Sequence, residues 1–307
     1  MRTALLVALF TALAAPVGAQ AIDDGIMMTG HSLQTGDIYT HDSWEQYWEG
    51  TLKRVNGNIG IITTQTNTWS AAYGLTGRLT LIGSVPYVWT RPSLGVLQGQ
   101  EGPQDIMLGG KYSFFERSSA RRGALRAIVA MYGAFPLSNY TPDFAPLSIG
   151  TQSRRLAGRL TLNYQTDRGV YLNGSTAYTR RADVTLDRPY YFTDDQLFLT
   201  DVVTMPDVID YTVSAGYLKH HLNTNISFSQ QTTQGGGDIR RQDAPFVSNR
   251  VNFSKVGAMA MYAIPKVRSV AFYFSAAYTL DGRNVGQATT VATGLLYSYA
   301  ARGSSIR

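Results

Sequence analysis

The chain has 307 residues, of which 44% are hydrophobic and none is cysteine, and 27 basic against 21 acidic residues give a formal net charge of +6. The absence of cysteine excludes a fold held together by disulfides. The small positive charge is scattered along the chain and does not indicate a nucleic acid or another polyanion as a partner. Stability must therefore come from burial and backbone pairing.

The N-terminus predicts export. Arg2 is followed by an apolar run over residues 4–15 and then by small residues up to Ala19, which is the pattern of a cleavable signal peptide. The predicted signal peptide covers residues 1–19, and cleavage after Ala21 is the alternative. The run is shorter than the roughly 20 residues of a membrane-spanning helix, and no later stretch reaches about 18 apolar residues. A helical membrane protein is therefore excluded.

Residues 22–43 are polar, with aromatic and methionine residues inserted at no regular spacing. Two interpretations stay open for this stretch. It is either a partial plug inside the domain that follows or a disordered periplasmic arm.

From Trp44 onward the sequence reads as one strand after another, because apolar and polar residues alternate with a period of two. In residues 155–165, for example, Leu156, Leu160 and Leu162 share one face, and Arg159 lies on the other. Each segment is close to the roughly 9 to 11 residues that cross a membrane as a tilted strand. Twelve strands are predicted, at 44–54, 58–75, 78–88, 104–115, 124–135, 154–165, 170–180, 208–219, 222–232, 247–263, 269–280 and 285–299.

Short and long connections alternate between successive predicted strands. Short turns on one edge and long loops on the other are typical of outer-membrane barrels, as is an even number of strands. Aromatic residues such as Trp69 and Trp89 also concentrate near strand ends. The sequence thus predicts an all-β fold, a transmembrane antiparallel up-and-down β-barrel of about twelve strands in the bacterial outer membrane, over residues 44–299 with a short tail at 300–307.

Two places depart from the alternation. Neither face of 58–75 is apolar throughout, so we expect a bulge there or a protrusion beyond the membrane. Lys255 shares a face with Met259 and Met261, which would point it into lipid. We expect it to lie near a rim, or a bulge to shift the register.

The inward face is predicted to carry mixed charge. Such charges either line a hydrated pathway or form a network of salt bridges that fills the barrel, and about twelve strands favour a narrow or partly blocked passage. The candidate lumen-lining residues are Glu45, Glu49, Lys53, Asp105, Lys111, Arg126, Arg159 and Asp210.

Residues for catalysis or metal binding are scarce. The chain has four histidines, and the adjacent pair His220 and His221 falls in a predicted short turn. The sequence therefore predicts no enzyme, no catalytic residue, no metal site and no cofactor.

Several motifs in the first half resemble the outer-membrane family named after the MetA pathway of phenol degradation. The matching stretches are YGLTGRL at 73–79, VPYV at 85–88, GPQDI at 102–106, LGGKY at 108–112 and, more weakly, GAFP at 133–136. The resemblance covers somewhat less than half of the chain. It implies a barrel that helps small, often hydrophobic or aromatic, molecules across the outer membrane.

The sequence and the resemblance together predict a passive channel or transporter for small molecules. The alternative is a structural or adhesive barrel that acts through its long loops. The candidate contact residues there are Tyr140, Phe144, Tyr190, Tyr191, Phe192 and Phe198. The expected partners are outer-membrane lipid, a small solute and, during biogenesis, the barrel-assembly machinery, which recognises an aromatic-ended last strand.

Overall fold

A computed structural model describes residues 21–119, 123–240, 245–265, 267 and 269–300. Twelve long antiparallel strands form the fold. They are β1 (Ser32–Trp44), β2 (Ile62–Thr76), β3 (Leu79–Pro92), β4 (Asp105–Ser119), β5 (Gly123–Pro136), β6 (Arg155–Gln165), β7 (Val170–Arg181), β8 (Val208–Lys219), β9 (Leu222–Thr233), β10 (Asn252–Ala263), β11 (Val270–Arg283) and β12 (Thr289–Ala300). The predicted signal peptide and residues 301–307 of the predicted tail lie outside the described residues.

The sheet closes on itself. Each strand pairs with its neighbours in sequence, and β1 pairs with β12 from Ser32 opposite Ala300 to Ser43 opposite Thr289. A closed sheet has no unpaired edge, which is what a strand-built protein needs in lipid, where water cannot satisfy backbone groups. The prediction of a twelve-stranded antiparallel barrel is confirmed.

The first strand lies earlier than predicted. Residues Ser32–Trp44 form β1 and pair with both β2 and β12, whereas the predicted first strand, 44–54, forms a small hairpin of Gln46–Glu49 with Leu52–Val55. The assignment of residues 32–43 to an arm or plug and the predicted start of the barrel at Trp44 are therefore wrong. The sequence pattern missed this strand because polar Thr35 and Asp37 interrupt its outward face between Leu33 and Tyr39.

The two ends of the barrel differ as expected. Short connections at 77–78, 166–169 and 220–221 lie at one end, and the described chain enters β1 there. Long connections at 45–61, 93–104, 137–154, 182–207 and 234–251 lie at the other end, where only 284–288 is short. The long-loop end is the extracellular one, by the rule that outer-membrane barrels keep short turns in the periplasm.

The faces of the strands follow the predicted alternation. On β6, Leu156, Leu160 and Leu162 are exposed on the outside, whereas Arg159 and Thr161 are buried inside the barrel. In β8 and β9 most of the predicted outward residues are likewise exposed, among them Val213 at 59% and Ile226 at 66%, and the others are half-buried. Burying this outer face in lipid instead of water stabilises the barrel at roughly 25 cal/mol per Å².

β10 corrects the expected orientation of Lys255. Met261 is fully buried, whereas Val256 and Tyr262 are exposed, so the face that Lys255 shares with Met261 points into the lumen and not into lipid. The expected irregularity is present, as a register shift against β11 at Ser254 and Lys255. Both faces of this strand are largely apolar, so alternation alone could not choose between them.

The other irregular stretch, 58–75, also contains a register shift, but near its end, between Gly74 and Thr76 of β2 against β3. Its polar run at 63–67 pairs in regular register with both neighbouring strands. No helix in the described part of the chain has the length and apolarity needed to cross a membrane.

We predict that the barrel requires residues 32–43 and tolerates loss of the 46–55 hairpin. Removing 32–43 deletes β1 and leaves β2 and β12 with unpaired edges, whereas replacing 46–55 by a short glycine-asparagine turn leaves the twelve-strand pairing intact. Heat-modifiable gel mobility of the membrane-extracted protein measures closure. A heat-modifiable band from the variant lacking 32–43 would contradict the assignment of β1.

Candidate functional site in the barrel lumen

Ion pairs line the interior of the barrel. Arg155 contacts Asp105 at 2.7 Å, and Arg159 contacts Asp210 at 2.5 Å. Arg159 also donates a hydrogen bond to Ser175 at 2.8 Å and is 8% exposed. Charges that leave water need a partner of opposite sign, so these pairs are what allows the strands to carry charge on their inward faces.

Two further pairs lie in the lumen. Arg126 of β5 contacts Glu116 of β4 at 2.8 Å. Lys111 of β4, whose side chain is 0% exposed, contacts Asp24 at 2.6 Å. The carboxylate in direct contact with Lys111 comes from outside the barrel wall, whereas the carboxylates in direct contact with the three arginines belong to barrel strands.

The eight predicted lumen residues divide into two groups. Asp105, Lys111, Arg126, Arg159 and Asp210 are on barrel strands, and the structure places each of them in an ion pair. The remaining three are not on a barrel strand but in the connection between β1 and β2; they are Glu45, Glu49 and Lys53.

These three residues were predicted to line the lumen because the first strand was predicted to start too late in the sequence. Glu49 pairs with Arg54 at 2.6 Å within the 46–55 hairpin, and the Lys53 ammonium lies 5.5 Å from the ring centroid of Trp48. Glu45 is exposed next to this hairpin. Their interpretation as lumen-lining residues is therefore not supported by their position.

Residues 21–31, here called the N-terminal segment, run along the inner wall and enter β1. The Lys111 ammonium donates to the carbonyl of Ala21 at 2.8 Å as well as to Asp24. On the opposite side of the segment, Asn173 donates to the carbonyl of Asp23 at 3.1 Å. The segment is thereby bonded to two different parts of the wall.

Two glycines allow the segment to approach the wall closely. A Cβ added to Gly74 of β2 would lie 2.1 Å from the carbonyl oxygen of Thr29, and one added to Gly25 would lie 2.4 Å from the side chain of Asn163. Atoms do not approach to such distances, so a larger residue at either position would push the segment away from the wall.

Apolar contacts accompany these polar ones. Met28 of the segment is buried against Ala72 and Ile82, and Ile22 and Met107 pack on the same cluster. The backbone NH of Met28 also donates to the Thr80 hydroxyl at 3.2 Å. The segment thus presents both a carboxylate and an apolar surface to the wall formed by β2, β3 and β4.

A cavity of about 630 Å³ lies between the segment and the opposite wall. Lys219 at the end of β8 and His220 in the short turn that follows help to line it, which places the cavity in the periplasmic half of the barrel. Its β7–β12 wall is mostly neutral, with amide, hydroxyl and aromatic side chains and one methionine. These include Tyr171, Asn173, Ser214, Asn223, Asn225, Met259 and Tyr273.

Hydrogen bonds tie part of that neutral wall together around Tyr171. Its hydroxyl donates to Asn223 at 3.3 Å and accepts from Asn225 at 3.1 Å. Prediction from sequence missed these residues, because neutral polar side chains alternate along the inward face of any barrel and carry no charge to mark them. The one sequence feature that could have indicated this wall is the presence of two asparagines, Asn223 and Asn225, on the same face of a strand.

Burial controls the electrostatics of the segment. Burial raises the pKa of the Asp24 carboxyl above its ordinary value, and the nearby Lys111 ammonium opposes that shift. The Lys111 side chain is fully buried and no water compensates its charge, so it depends on the Asp24 carboxylate. Within the described residues, no group of three or more histidine, cysteine, aspartate or glutamate residues could hold a metal ion.

The 234–251 loop is bonded to the extracellular end of β11. Arg283 makes two hydrogen bonds to Asp238, at 2.7 and 2.5 Å, which lower the pKa of this carboxyl to about 2. Asn284 also donates to Asp238, at 2.8 Å. The 234–251 loop is thereby attached to the end of β11.

The loop aromatics predicted as contact residues are only partly available. Tyr191 stacks between Phe198 and Phe246, with ring centroids at 4.9 and 5.1 Å, and Tyr140 is 7% exposed. Tyr190 and Phe192 are exposed, at 56% and 51%. Tyr140 and Tyr191 therefore pack within the loops themselves, whereas Tyr190 and Phe192 stay available for contact.

Comparison with known proteins agrees with the fold. The COG4313 outer membrane channel from Pseudomonas putida F1 superimposes with a TM-score of 0.71 at 13% identity, over 92% of this chain and 100% of that chain. This likeness shows a common barrel fold. The protein accordingly has the closed β-barrel fold of that channel.

Other solved barrels are more distant. The translocator domain of the autotransporter NalP from Neisseria meningitidis gives a TM-score of 0.44 at 10% identity, over 89% of each chain. A mutant of the TodX monoaromatic hydrocarbon channel gives 0.45 at 11% identity, over 89% of this chain and 91% of that chain. Both scores are too low to add to the argument.

A family model described as "Putative MetA-pathway of phenol degradation" matches residues 54–294. The match extends well beyond the motifs of the first half and covers most of the barrel. Comparison with curated proteins gives no match.

We predict that Asp24→Asn releases the N-terminal segment from the wall. The substitution keeps the shape of the side chain but leaves the Lys111 ammonium without its carboxylate, and breaking a buried pair from one side costs about 3 to 5 kcal/mol. The chain has no cysteine, so a single Met28→Cys reports on docking through its reaction with a maleimide.

The thiol introduced by Met28→Cys should react slowly in the otherwise native protein and at least about tenfold faster with Asp24→Asn. Asp167→Asn, in the exposed 166–169 turn, is the matched control and should leave the rate unchanged. Equal rates in all three proteins would show that the ion pair does not hold the segment.

The 234–251 loop should detach in acid. The pKa of Asp238 is lower in the folded protein than in an unfolded chain, so its contribution is present above about pH 4 and is lost as the pH falls through about 2. Pepsin, which cuts at aromatic residues such as the buried Phe246, measures detachment.

Pepsin should leave this loop intact at pH 4 and cut it at pH 2, whereas Asp238→Asn should be cut at both values. Protection of the native loop at pH 2 would contradict the proposed role of this ion pair. Asp167→Asn, which removes an exposed carboxylate in the 166–169 turn at the other end of the barrel, serves as the control.

Proposed function

Because the chain belongs to the MetA-pathway of phenol degradation family, we propose that its barrel is a channel for the passive passage of small, hydrophobic or aromatic, molecules across the outer membrane. The observation that carries this proposal is the cavity of about 630 Å³ in the periplasmic half of the lumen. This volume is within the range of roughly 300 to 1,000 Å³ that small-molecule sites occupy. The Pseudomonas putida F1 protein of the same fold is itself an outer membrane channel, which is consistent with the proposal.

The lining of the cavity suits a small aromatic solute. Tyr171, Tyr273 and Met259 provide apolar and polarizable surface, while the asparagines and serines provide hydrogen bonds without net charge. Such a wall binds weakly enough for release, which a passive channel needs, since a solute held tightly would block it. We therefore expect the solute to move between the β7–β12 wall and the N-terminal segment.

The segment narrows this passage. Ala21, Asp24 and Met28 are bonded to the wall at β3 and β4, and Asp23 is also bonded to Asn173 of β7. A twelve-stranded barrel is wider than the eight-stranded barrels that side chains alone can fill, so an additional segment accounts for part of the interior. The segment acts in this proposal as a partial plug.

We expect no catalytic activity and no cofactor, since the lumen residues described above are engaged in ion pairs and amide networks. We also expect the barrel-assembly machinery to recognise β12, whose exposed face carries Tyr297 and Tyr299 near its end. The lipid partner contacts the apolar outer face of the strands.

Planar-bilayer recordings with purified protein test the channel. The native protein should pass ions with a small conductance, because the segment blocks part of the lumen. Gly74→Val should raise the conductance severalfold, since its side chain would displace the segment at Thr29. Gly158→Val, at an outward position with open space around its Cβ, is the matched control and should conduct as the native protein does.

A correctly folded barrel that passes neither ions nor small solutes, with or without Gly74→Val, would refute the channel. Heat-modifiable gel mobility establishes correct folding for each variant before recording. The comparison therefore separates a folded barrel that does not conduct from a misfolded protein.

A further inference from the structure

The lumen cations obtain their counter-charges in two ways. Arg126, Arg155 and Arg159 pair with carboxylates that belong to the barrel strands themselves. Lys111 pairs with Asp24 of the N-terminal segment. The direct contacts of these three arginines are thus fixed by the sheet, although the charge of Asp23 in the segment also acts on Arg159. The direct contact of Lys111 with a carboxylate exists only while the segment is docked.

Lys111 cannot stay unpaired in its present surroundings. Its side chain is 0% exposed, and its ammonium contacts the Asp24 carboxylate at 2.6 Å and the Ala21 carbonyl at 2.8 Å. A buried ammonium without a counter-charge is strongly unfavourable. Anything that displaces the segment must therefore supply a negative oxygen to Lys111 or expose it to water.

An apolar surface adjoins Lys111. Thr80 lies opposite Lys111 in the sheet, and Ile82 and Met107 follow on the inward faces of β3 and β4. Ala72 completes this surface, on which Met28 and Ile22 of the segment pack. The segment therefore occupies the wall as a ligand would, with a carboxylate at one point and an apolar body beside it.

We propose that Lys111, with Ile82, Met107 and Ala72, forms a binding site for a small monocarboxylate with an apolar or aromatic body, and that Asp24 occupies this site as an internal substitute. The inference rests on the proposed channel function and specifies a substrate class for it. A solute carboxylate that replaces Asp24 keeps the ion pair of Lys111. A neutral solute of the same shape leaves the ammonium unpaired.

Selectivity follows from this difference. Exchange of one carboxylate for another conserves the charge-assisted hydrogen bond, whereas an amide or a hydroxyl provides a weaker, uncharged acceptor. Hydrogen bonds to charged groups contribute about 1.5 to 3 kcal/mol, which corresponds to at least about a tenfold preference. Benzoate and benzamide, which share size and shape but differ in charge, are suitable probes.

The decisive measurement is calorimetric binding of both probes to the purified, membrane-extracted protein at pH 7.5. Asp24→Asn frees the site, so it should bind benzoate at least about tenfold more tightly than the native protein does, and at least about tenfold more tightly than it binds benzamide. Asp24→Asn with Lys111→Met should lose the preference for benzoate. Asp167→Asn, outside the lumen, should match the native protein.

Because Lys111→Met replaces a buried residue and could disturb folding, a second measurement avoids this variant. Benzoate should speed the maleimide reaction of Met28→Cys in the otherwise native protein by competing with Asp24, and benzamide should not. The proposal is overturned if the two probes bind Asp24→Asn equally or not at all, if the preference survives Lys111→Met in a folded barrel, or if benzoate leaves the maleimide reaction of Met28→Cys unchanged. Failure of the channel itself appears separately, as absent ion current in planar bilayers.

Discussion

Closure of the sheet is the constraint on which the rest of the structure depends. In hydrocarbon a strand has no water to hydrogen-bond, so each backbone NH and carbonyl must find a partner in the next strand. Pairing of β1 with β12 over the registers from Ser32 to Ser43 joins the two ends of the sheet. Without that seam the other eleven strand pairs would form an open sheet with two exposed edges, which membranes do not tolerate.

Closure also decides what the inside must contain. Twelve strands enclose more space than their inward side chains fill, yet the strands carry charged residues on that face. Ion pairs within the wall neutralise most of them, as at Arg159 and Asp210. The N-terminal segment supplies the carboxylate in contact with Lys111 and fills part of the lumen. The cavity beside it has a β7–β12 wall that is mostly neutral, and the functional proposal follows from this division of the lumen.

The two halves of the lumen suit different parts of a solute. The wall of amides, hydroxyls and tyrosines offers contacts that cost little to make and break, which favours movement. The Lys111 side offers one strong, charge-dependent contact beside an apolar surface. A solute with a carboxylate would use both, whereas a neutral aromatic would pass along the first alone. Displacement of the segment therefore connects selectivity with the size of the opening.

The sequence by itself determined the class of the protein. Period-two alternation, the order of short and long connections and the absence of a long apolar run predicted the barrel, its strand count and the outward faces of β6, β8 and β9. These features are local, because the side-chain period of a strand and the length of a turn do not depend on distant residues. The resemblance in 73–112 predicted the family in the same way.

Only the tertiary structure decided the rest. The sequence pattern did not reveal β1 because Asp37 interrupts its outward apolar face. Pairing with β2 and β12 nevertheless holds these residues in a strand. The face of Lys255 depended on which side of β10 met the lumen, since both sides are largely apolar. Asp24 lies 87 positions before Lys111, and only the closed barrel brings them together. Alternation determines that a residue faces inward, but the partner it meets there is set by the packing of distant segments.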